Sequence, residues 1–299
     1  MRQATYTLTL ILIITCFAKV FGQYKAFPKD PQQAEFVTSD IKSFWKAFDS
    51  IDDIQSNPFE DYIKNGTLGL QGFIPYRIMN ADSLLNMVKR RKQDYERVKG
   101  IESKIKEQEK LIKPYFYALE YWYPDAVYPP VYFVIGRFNS GGTASENGLI
   151  IGAEKLTSLD HLPGLVIHES IHFQQKWPEG GSTNLLQQSI LEGAADFIAE
   201  LATGIKGNAS ANEYGNENKV DLCKEFVQIM HQNNFQDWLY GTSEKDDRPN
   251  DLGYWIGYEI VKAYFDKAKD KKLAVSHILN IEDYDSFLKE SGYLKDYMD

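Results

Sequence analysis

Cysteine is scarce in this sequence, with Cys16 and Cys223 as its two examples among 299 residues. Two cysteines cannot form the framework of several disulfide bonds that stabilises small secreted domains. Basic residues are also in the minority, since 33 Lys and Arg stand against 42 Asp and Glu, for a net charge of −9. Nucleic-acid binding requires a basic surface, so this charge balance argues against a nucleic-acid partner.

Long apolar runs are missing as well: the stretch from Leu8 to Phe17 is about ten residues long, whereas spanning a bilayer takes about 20. A basic start, such a run, and the small residues Val20 and Gly22 before a cut after Gly22 are typical of a signal peptide. We therefore expect residues 1–22 to be removed and the protein to be exported, to the periplasm, the cell envelope or the medium. No later stretch reaches about 18 uninterrupted apolar residues, so we expect no stable membrane span after cleavage.

Two alternatives to a cleaved signal peptide stay open. In the first, the apolar run is kept as an uncleaved anchor. In the second, Cys16 carries a lipid, because it follows an aliphatic run, although Thr15 is a poor residue immediately before a lipidated cysteine. After cleavage Cys223 is the remaining cysteine, so packing, or packing plus a metal ion, must hold the exported fold.

The rest of the sequence predicts a mostly helical α+β protein with a single domain over residues 23–299. Apolar residues at helical spacing dominate before and after one segment of β-branched and aromatic residues. That segment contains two expected strands, Val131 to Phe138 and Leu149 to Ala153, joined by the turn-rich Asn139 to Gly142. The expected parts are a helical N-terminal part at 36–122, a small sheet at 131–153, metal-binding helices at 161–203 and C-terminal helices at 212–290. The later helices are expected over 161–177, 184–203, 212–233, 251–268 and 274–290.

The residues from His168 to His172 read His-Glu-Ser-Ile-His within an expected helix. Two histidines four positions apart project from one face of a helix, where both imidazoles can bind a single Zn²⁺. Glu169 is rotated from that face, near the metal but not pointing at it, where it can take a proton from a water molecule. The apolar neighbours of the motif predict a buried segment, in which unpaired histidines would be unfavourable. The motif therefore predicts one zinc ion per chain and a general base.

A second acidic pattern follows in the next expected helix, where Glu192 and Asp196 lie four residues apart on one face. Glu192 comes 20 residues after His172, a separation that lets the second helix run back along the first and offer a third metal ligand. Asp196 is then placed to accept the free N–H of a ligand histidine, which fixes the tautomer of that ring. Gly193 and the two alanines after it remove bulk where the two helices approach the ion.

The motif at 168–172, taken together with Glu192 and Asp196, resembles the gluzincin metallopeptidases, the thermolysin-like group with H-E-x-x-H and a downstream E-x-x-x-D. The Glu-Gly-x-Ala-Asp pattern of the second helix is more similar still to the predicted zinc-dependent proteases of bacteria. This resemblance implies a zincin-like fold with two histidine ligands and Glu192 as the third, Glu169 as the base, and Asp196 as the partner of His168. It also implies an edge strand, upstream of the metal helix, that aligns a peptide.

The sequence departs from the thermolysin-like pattern at one position. In that group an amide residue often precedes the third ligand and supports the second histidine. Leu191 stands at that place in this chain. The residue that supports His172 is therefore not predicted.

Peptide hydrolysis also needs a group that stabilises the developing oxyanion, commonly a Tyr, His or Arg from a later helix. Tyr254 is the residue we predict for this catalytic role, because it lies where a loop meets an expected helix and a side chain can reach a cleft. Other candidates are His231, Arg248 and Tyr258.

The sequence thus predicts an exported zinc peptidase that hydrolyses peptide bonds in a peptide or protein substrate. Two alternatives stay open: a zincin-fold binding or assembly factor of the cell envelope with little or no activity, and a metal-dependent hydrolase of non-peptide substrates. An intact Glu169 argues against the first, since a purely structural site does not need that carboxylate. The second alternative shares its zinc and general-base chemistry with a peptidase, so only a substrate assay distinguishes the two. Oligomeric state and cleavage specificity are not predicted.

Overall fold

The computed structural model of the chain describes residues 27–298, except 53–55, 179, 181–182 and 241–247. The expected signal peptide at 1–22, including Cys16, lies outside the described residues, so export stays a prediction. Within the described ranges, no helix combines the length and the apolar character that crossing a membrane requires.

Helices make up most of the described chain, and three of the four strands of a small sheet lie in sequence between an N-terminal and a C-terminal group of helices. The N-terminal helices are α1 (Ser39–Phe48), α2 (Phe59–Lys64), α3 (Leu68–Phe73), α4 (Ala81–Arg90), α5 (Lys92–Glu96) and α6 (Ile101–Trp122), with a π-helical turn at Ile74–Ile78. The later helices are α7 (Leu162–Gln174), α8 (Leu185–Thr203), α9 (Ala209–Glu217), α10 (Lys219–Ile229), α11 (Leu252–Lys267), α12 (Lys271–Leu279) and α13 (Tyr284–Ser291). The predicted α+β class is confirmed.

The sheet formed by the described residues has four strands in the order β1-β2-β4-β3. They are β1 (Phe36–Val37), β2 (Val131–Val134), β3 (Gly142–Ser145) and β4 (Gly148–Gly152). β2 runs parallel to both β1 and β4, whereas β3 pairs antiparallel with β4 through a tight turn. β3 is therefore an edge strand, and α7 packs beside it.

The first predicted strand ends early, and the turn-rich connection after it contains a strand. Regular pairing stops at Val134, and Phe138, the predicted end of the strand, has a φ of 61°. The buried carboxylate of Glu154 accepts a hydrogen bond from the amide of Phe138 at 3.0 Å, which holds this left-handed residue in place. The chain therefore leaves the sheet and returns as β3, so Gly142 begins a strand where the sequence predicts the end of a turn.

Two long helices predicted near the C-terminus are each a pair of shorter ones. The predicted helix at 212–233 is interrupted at Asn218, whose side chain donates to a backbone carbonyl in α9. The predicted helix at 274–290 is interrupted before α13, where the Asp283 carboxylate accepts bonds from the first amides of α13. Asn and Asp side chains compete for backbone groups and so favour helix ends over helix interiors. The prediction of two continuous helices was wrong for that reason.

The buried helix α8 packs against α7 and also against α11. A Cβ atom on Gly193 would lie 2.0 Å from the backbone nitrogen of Tyr258, and one on Gly257 would lie 1.7 Å from the carbonyl oxygen of Ser189. These two glycines therefore let α8 and α11 cross with their backbones in contact. The sequence interpretation of Gly193 needs correction, since the helix it admits is α11 and not the metal helix α7. This crossing brings the start of α11, with Tyr254, toward the predicted site.

Candidate metal centre

Two neighbouring helices place three metal-binding side chains at one point. His168 and His172 lie one turn apart on α7, and Glu192 faces them from α8. Nε2 of His172 lies 3.0 Å from Nε2 of His168 and 3.0 Å from Oε2 of Glu192. Nε2 of His168 lies 3.5 Å from that same oxygen. Within the described chain, these three residues form a group that could share one ion, so the structure brings together all three predicted ligands.

Both helices begin at strong local signals. Pro163 occupies the first turn of α7, where a proline fits because its missing N–H would have no partner in the helix. α8 begins with a capping box, in which the side chains of Asn184 and Gln187 each accept a hydrogen bond from the other residue's amide. These starts fix the helical registers and hence the faces on which His168 and Glu192 lie.

Asp196 contacts His168 on the side of the ring away from the other ligands. Its Oδ1 lies 2.8 Å from Nδ1 of His168, and its Oδ2 accepts a hydrogen bond from the Asn208 side chain at 2.7 Å. Because a carboxylate only accepts, Nδ1 of His168 carries a proton, and Nε2 is the nitrogen that remains for a metal ion. The contact that the sequence predicts between these two residues is present.

Gln175 supports His172, and the sequence analysis missed it. The Nε2 of Gln175 donates to the carbonyl of Leu191 at 2.8 Å, so its Oε1, 2.8 Å from Nδ1 of His172, is the acceptor. Nδ1 of His172 therefore also carries a proton, and its Nε2 is the nitrogen that remains for a metal ion. In the thermolysin-like pattern the supporting amide side chain precedes the third ligand, at position 191 of this chain, but here it belongs to Gln175, three residues after His172. Leu191 contributes only its backbone carbonyl, which any residue could provide. A glutamine three residues after the second histidine was the sequence signal that could have predicted this contact.

The donor set and its spacing fit a zinc ion. With both Nδ1 atoms bound to acceptors, two Nε2 atoms and one carboxylate oxygen converge on one point, where a cation can replace the protons of the rings. Tetrahedral zinc with bonds of about 2.0–2.1 Å separates its ligand atoms by about 3.3–3.4 Å. The separations here are 3.0 to 3.5 Å. Two histidines and one glutamate leave a fourth position open, as in catalytic zinc sites.

The electrostatics of the cluster also favour a cation. Burial lowers the pKa of His168, but the Asp196 and Glu192 carboxylates outweigh it and hold this pKa well above its ordinary value. Burial raises the pKa of Glu192, but the two histidines outweigh it and hold this pKa well below its ordinary value. The side chains of His168 and His172 are only 12% and 10% exposed, so little of either ring is in contact with solvent.

Glu169 lies beside the cluster and against the edge strand. It is buried, and burial raises the pKa of its carboxyl group, a shift that His168 and His172 oppose. A Cβ atom on Gly142, the first residue of β3, would lie 2.3 Å from Oε1 of Glu169. Only glycine therefore lets the edge strand approach this carboxylate so closely. The edge strand against Glu169 is β3, which the sequence does not predict, while the second predicted strand, β4, also packs against α7.

Two tyrosines reach the cluster from the C-terminal half. Tyr254, in the first turn of α11, stacks on the ring of His168 with centroids 6.1 Å apart. Tyr240 donates its hydroxyl hydrogen to Oε1 of Glu192 at 3.0 Å, and Gln188 donates to the same oxygen at 3.1 Å. Burial, followed by the charge of Glu192, raises the pKa of both phenols, so both keep their protons at neutral pH. The sequence predicts Tyr254 but not Tyr240, a loop residue with a φ of 63°.

The other predicted candidates for the oxyanion role are engaged elsewhere in the described structure. Arg248 and Tyr258 are each hydrogen-bonded to a glutamate that is not part of the cluster. His231 is exposed and lies 3.7 Å from an aspartate on α13. Of the four candidates, Tyr254 is the one that the structure brings to the cluster.

A family model described as Predicted Zn-dependent protease (DUF2268) matches residues 134–285. This segment is slightly more than half of the 299 residues, and it contains the three candidate ligands, Glu169 and both tyrosines. The resemblance to predicted zinc-dependent proteases is thereby confirmed. No curated protein and no solved structure was found to match the chain.

Proposed function

This chain belongs to the family of predicted Zn-dependent proteases, and we propose that it is an exported peptidase that hydrolyses peptide bonds. One observation carries the proposal: three ligand atoms converge beside a buried glutamate against which an edge strand rests. In the proposal His168, His172 and Glu192 hold one zinc ion per chain, and the substrate is a peptide or protein.

Glu169 is the general base of the proposed reaction. Bound zinc supplies a Lewis acid that activates water and polarises the peptide carbonyl. The Glu169 carboxylate accepts a proton from the attacking water and passes it to the leaving amine. Burial supports both steps, because it raises the pKa of Glu169 toward the range in which a carboxylate can accept a proton and release it again.

Tyr254 is our proposal for the group that stabilises the oxyanion. Its phenol keeps its proton and its ring lies against His168, so its hydroxyl can donate to an oxygen that develops charge near the ligands. Tyr254→Phe should lower kcat while leaving zinc affinity unchanged. Tyr240→Phe is the matched comparison and should lower zinc affinity, since the hydroxyl of Tyr240 is bound to Glu192. Equal kcat for wild type and Tyr254→Phe would remove Tyr254 from the mechanism.

The edge of β3 that does not pair with β4 is the proposed place where the peptide lies. An edge strand offers unpaired N–H and C=O groups that an extended peptide can bind as an added strand. A peptide paired there runs past Gly142, whose closeness to Glu169 would bring the peptide bond to the base. This arrangement supports a peptide substrate over other substrate classes.

Export and the single domain over 23–299 also belong to the proposal. Export rests on the composition of residues 1–22. N-terminal sequencing of protein recovered from the producing cells should start at Gln23. A protein that starts at Met1 and stays in the membrane fraction would support the uncleaved anchor, and lipid attached to Cys16 would support the lipoprotein.

The function is tested by digestion of an unbiased peptide library, with products identified by mass spectrometry. Glu169→Gln should keep zinc and fold but lower turnover by about 10²- to 10⁴-fold, because an amide cannot accept the proton. Glu107→Gln makes the same change on the exposed face of α6 and should not alter turnover. Equal digestion by wild type and Glu169→Gln would show that the mechanism is wrong. Zinc-loaded wild type that digests nothing would favour the binding factor or a non-peptide substrate.

A further inference from the structure

Trp177 is the one exposed tryptophan of the chain, and it lies beside a candidate ligand. All five tryptophans belong to the described residues, and the other four are buried or half-buried, whereas Trp177 is 46% exposed. Because most of the surface of a tryptophan belongs to its ring, this fraction includes indole surface. The centroid of the indole lies 5.9 Å from that of the His172 ring. The indole therefore borders the metal centre and is also open to solvent.

The polar end of the indole is already engaged. Its Nε1 donates a hydrogen bond to the carbonyl oxygen of His172 at 3.2 Å. That carbonyl belongs to the last turn of α7, where backbone oxygens lack partners within the helix. Since Nε1 is the only polar atom of a tryptophan side chain, the ring surface that remains exposed is apolar. Trp177 thus offers an apolar surface, without a free hydrogen-bonding group, next to the metal centre.

The segment that carries Trp177 is anchored to two helices. The side chain of Gln175 joins it to the backbone of α8. The amide of Lys176 donates to the carbonyl oxygen of Leu279, the last residue of α12, at 2.8 Å, and the Lys176 ammonium group pairs with Glu282 at 2.7 Å. These bonds order the backbone before any ligand binds, so the indole loses little conformational freedom when a ligand contacts it.

A second exposed aromatic ring borders the same centre. Tyr240 is 50% exposed, and its hydroxyl donates to Oε1 of Glu192 at 3.0 Å. As in Trp177, the polar atom of the side chain is bound at the centre. Oε2 of Glu192 lies 3.0 Å from Nε2 of His172, so the two rings contact adjoining ligands. Single apolar residues on a surface are ordinary, but two exposed aromatic rings at one polar cluster point to the binding of an apolar group.

The position of Trp177 relates it to the scissile bond of the proposed reaction. Glu169, the proposed base, contacts the edge strand, and His172 follows it by nearly one turn of α7. A peptide bond held at the ligand atoms adjoins a side chain that is one Cα away, and consecutive Cα atoms are about 3.8 Å apart. The ring of Trp177, 5.9 Å from that of His172, is therefore within reach of a side chain next to the scissile bond.

We propose that Trp177 binds an apolar side chain of the substrate next to the scissile bond, and so selects peptides with a bulky apolar residue at that position. The inference rests on the proposed function, because it specifies the substrate class of that same centre. Contact with the indole removes apolar surface from water, and an aromatic side chain gains a further attraction from pairing with the ring. A basic side chain, which can also lie over an indole, is the competing class.

Binding is measured on zinc-loaded wild type with small hydroxamates, which bind zinc without being hydrolysed. One series consists of the N-acetyl hydroxamates of phenylalanine, leucine, alanine and lysine, whose side chain lies before the position of the cut. The second series consists of malonamide hydroxamates with the same four side chains, which lie after it. Calorimetric titration gives each Kd. In one series the phenylalanine and leucine probes should bind about 10-fold more tightly than the alanine probe.

Three variants assign this ratio to the indole. Trp177→Ala should lower it to about 1, whereas Trp177→Phe, which keeps an apolar ring but loses the N–H, should keep most of it. The alanine probe reports on zinc binding itself, so the ratio cancels any effect that the lost hydrogen bond to His172 has on the ligands. Tyr121→Ala removes an exposed ring that lies against Lys272 and not against a candidate ligand, and it should leave the ratio unchanged.

The outcomes separate the two proposals. Equal affinities of the phenylalanine and alanine probes in both series, or a ratio that survives in Trp177→Ala, would overturn the role of Trp177. Tightest binding of the lysine probe would overturn the choice of an apolar side chain. A wild type that shows the ratio but digests no peptide would overturn the proposed function and support the apolar subsite. Zinc-loaded wild type that binds none of the probes would overturn both.

Discussion

Oε1 of Gln175 lies 2.8 Å from Nδ1 of His172, while the amide nitrogen of the same side chain is bound to the carbonyl of Leu191. This one side chain joins the end of α7 to α8 and fixes the tautomer of a candidate ligand. Support for His172 therefore depends on residue 175 and on the backbone of residue 191, whatever side chain residue 191 carries.

Replacement of Gln175 tests this relationship. Gln175→Ala removes the acceptor for the His172 ring and should weaken zinc binding by about 10- to 100-fold, the usual loss for such a partner. Gln174→Ala is the control, because Gln174 is bound to the backbone of Val127 and not to a ligand. Competition with a zinc-binding dye measures both affinities. An unchanged affinity in Gln175→Ala would show that His172 needs no such support.

Replacement of Asp196 tests the packing of α8 against the metal helix. Asp196→Asn keeps the shape but removes the charge beside His168, so zinc affinity or activity should fall by about 10- to 100-fold in a folded protein. Asp160→Asn, at an exposed position before α7, should change little. Zinc titration and peptide digestion measure the two effects. Wild-type behaviour of Asp196→Asn would contradict the proposed role of Asp196.

Gly142 should be essential for activity but not for zinc binding. A Cβ atom there would lie 2.3 Å from Oε1 of Glu169, so Gly142→Ala must displace either the base or the edge strand. Gly141→Ala is a close control, since a Cβ atom at Gly141 would meet nothing within 4 Å. We expect Gly142→Ala to keep its zinc and to lose peptidase activity, and Gly141→Ala to keep both. Full activity in Gly142→Ala would mean that Glu169 does not act from this position.

Zinc binding should strengthen as pH rises. Burial lowers the pKa of both histidine ligands, but neighbouring carboxylates outweigh it and raise both pKa values above the ordinary one. At pH 6 zinc must therefore displace protons, and at higher pH it displaces fewer. The stability of the metal-free protein depends on pH in the opposite direction. Protonated His168 and His172 contribute their full stabilisation below about pH 6.5, and that contribution is lost as pH rises through their raised pKa values.

Calorimetric melting with zinc and with chelator measures this dependence. The gain in Tm on adding zinc should be larger at pH 8 than at pH 6. Taking the difference between the two conditions cancels the titration of groups elsewhere in the protein. A gain that is the same at both pH values would contradict the assignment of the two histidines as ligands.

The candidate ligands could be predicted from the sequence because their geometry is local. Spacing of four residues places His168 and His172 on one helix face, and the same rule relates Glu192 to Asp196. Contacts between distant segments could not be predicted in this way. Tyr240 reaches Glu192 from 48 residues away, through a loop with no periodic pattern.

The fold was predicted in class but not in its boundaries. Helical periodicity identified most of the described helices, but it continued across Asn218 and Asp283, where side-chain hydrogen bonds to the backbone end the helices. The edge strand β3 was missed because its Gly-Thr-Ala-Ser sequence lacks the apolar alternation of a strand. Its strand conformation depends on pairing with β4, and the need for glycine at position 142 arises from the close approach to Glu169. Both are tertiary contacts, which a local sequence pattern does not show.

The zinc content of protein purified without chelator tests the central claim most directly. We predict one zinc ion per chain in wild type, and less than about a tenth of that in His168→Ala and in His172→Ala, because each loses one of three ligands. His161→Ala removes an exposed histidine just before α7 and should keep the full complement. Wild type that holds no zinc even after zinc is supplied, or His168→Ala that holds as much as wild type, would contradict the account.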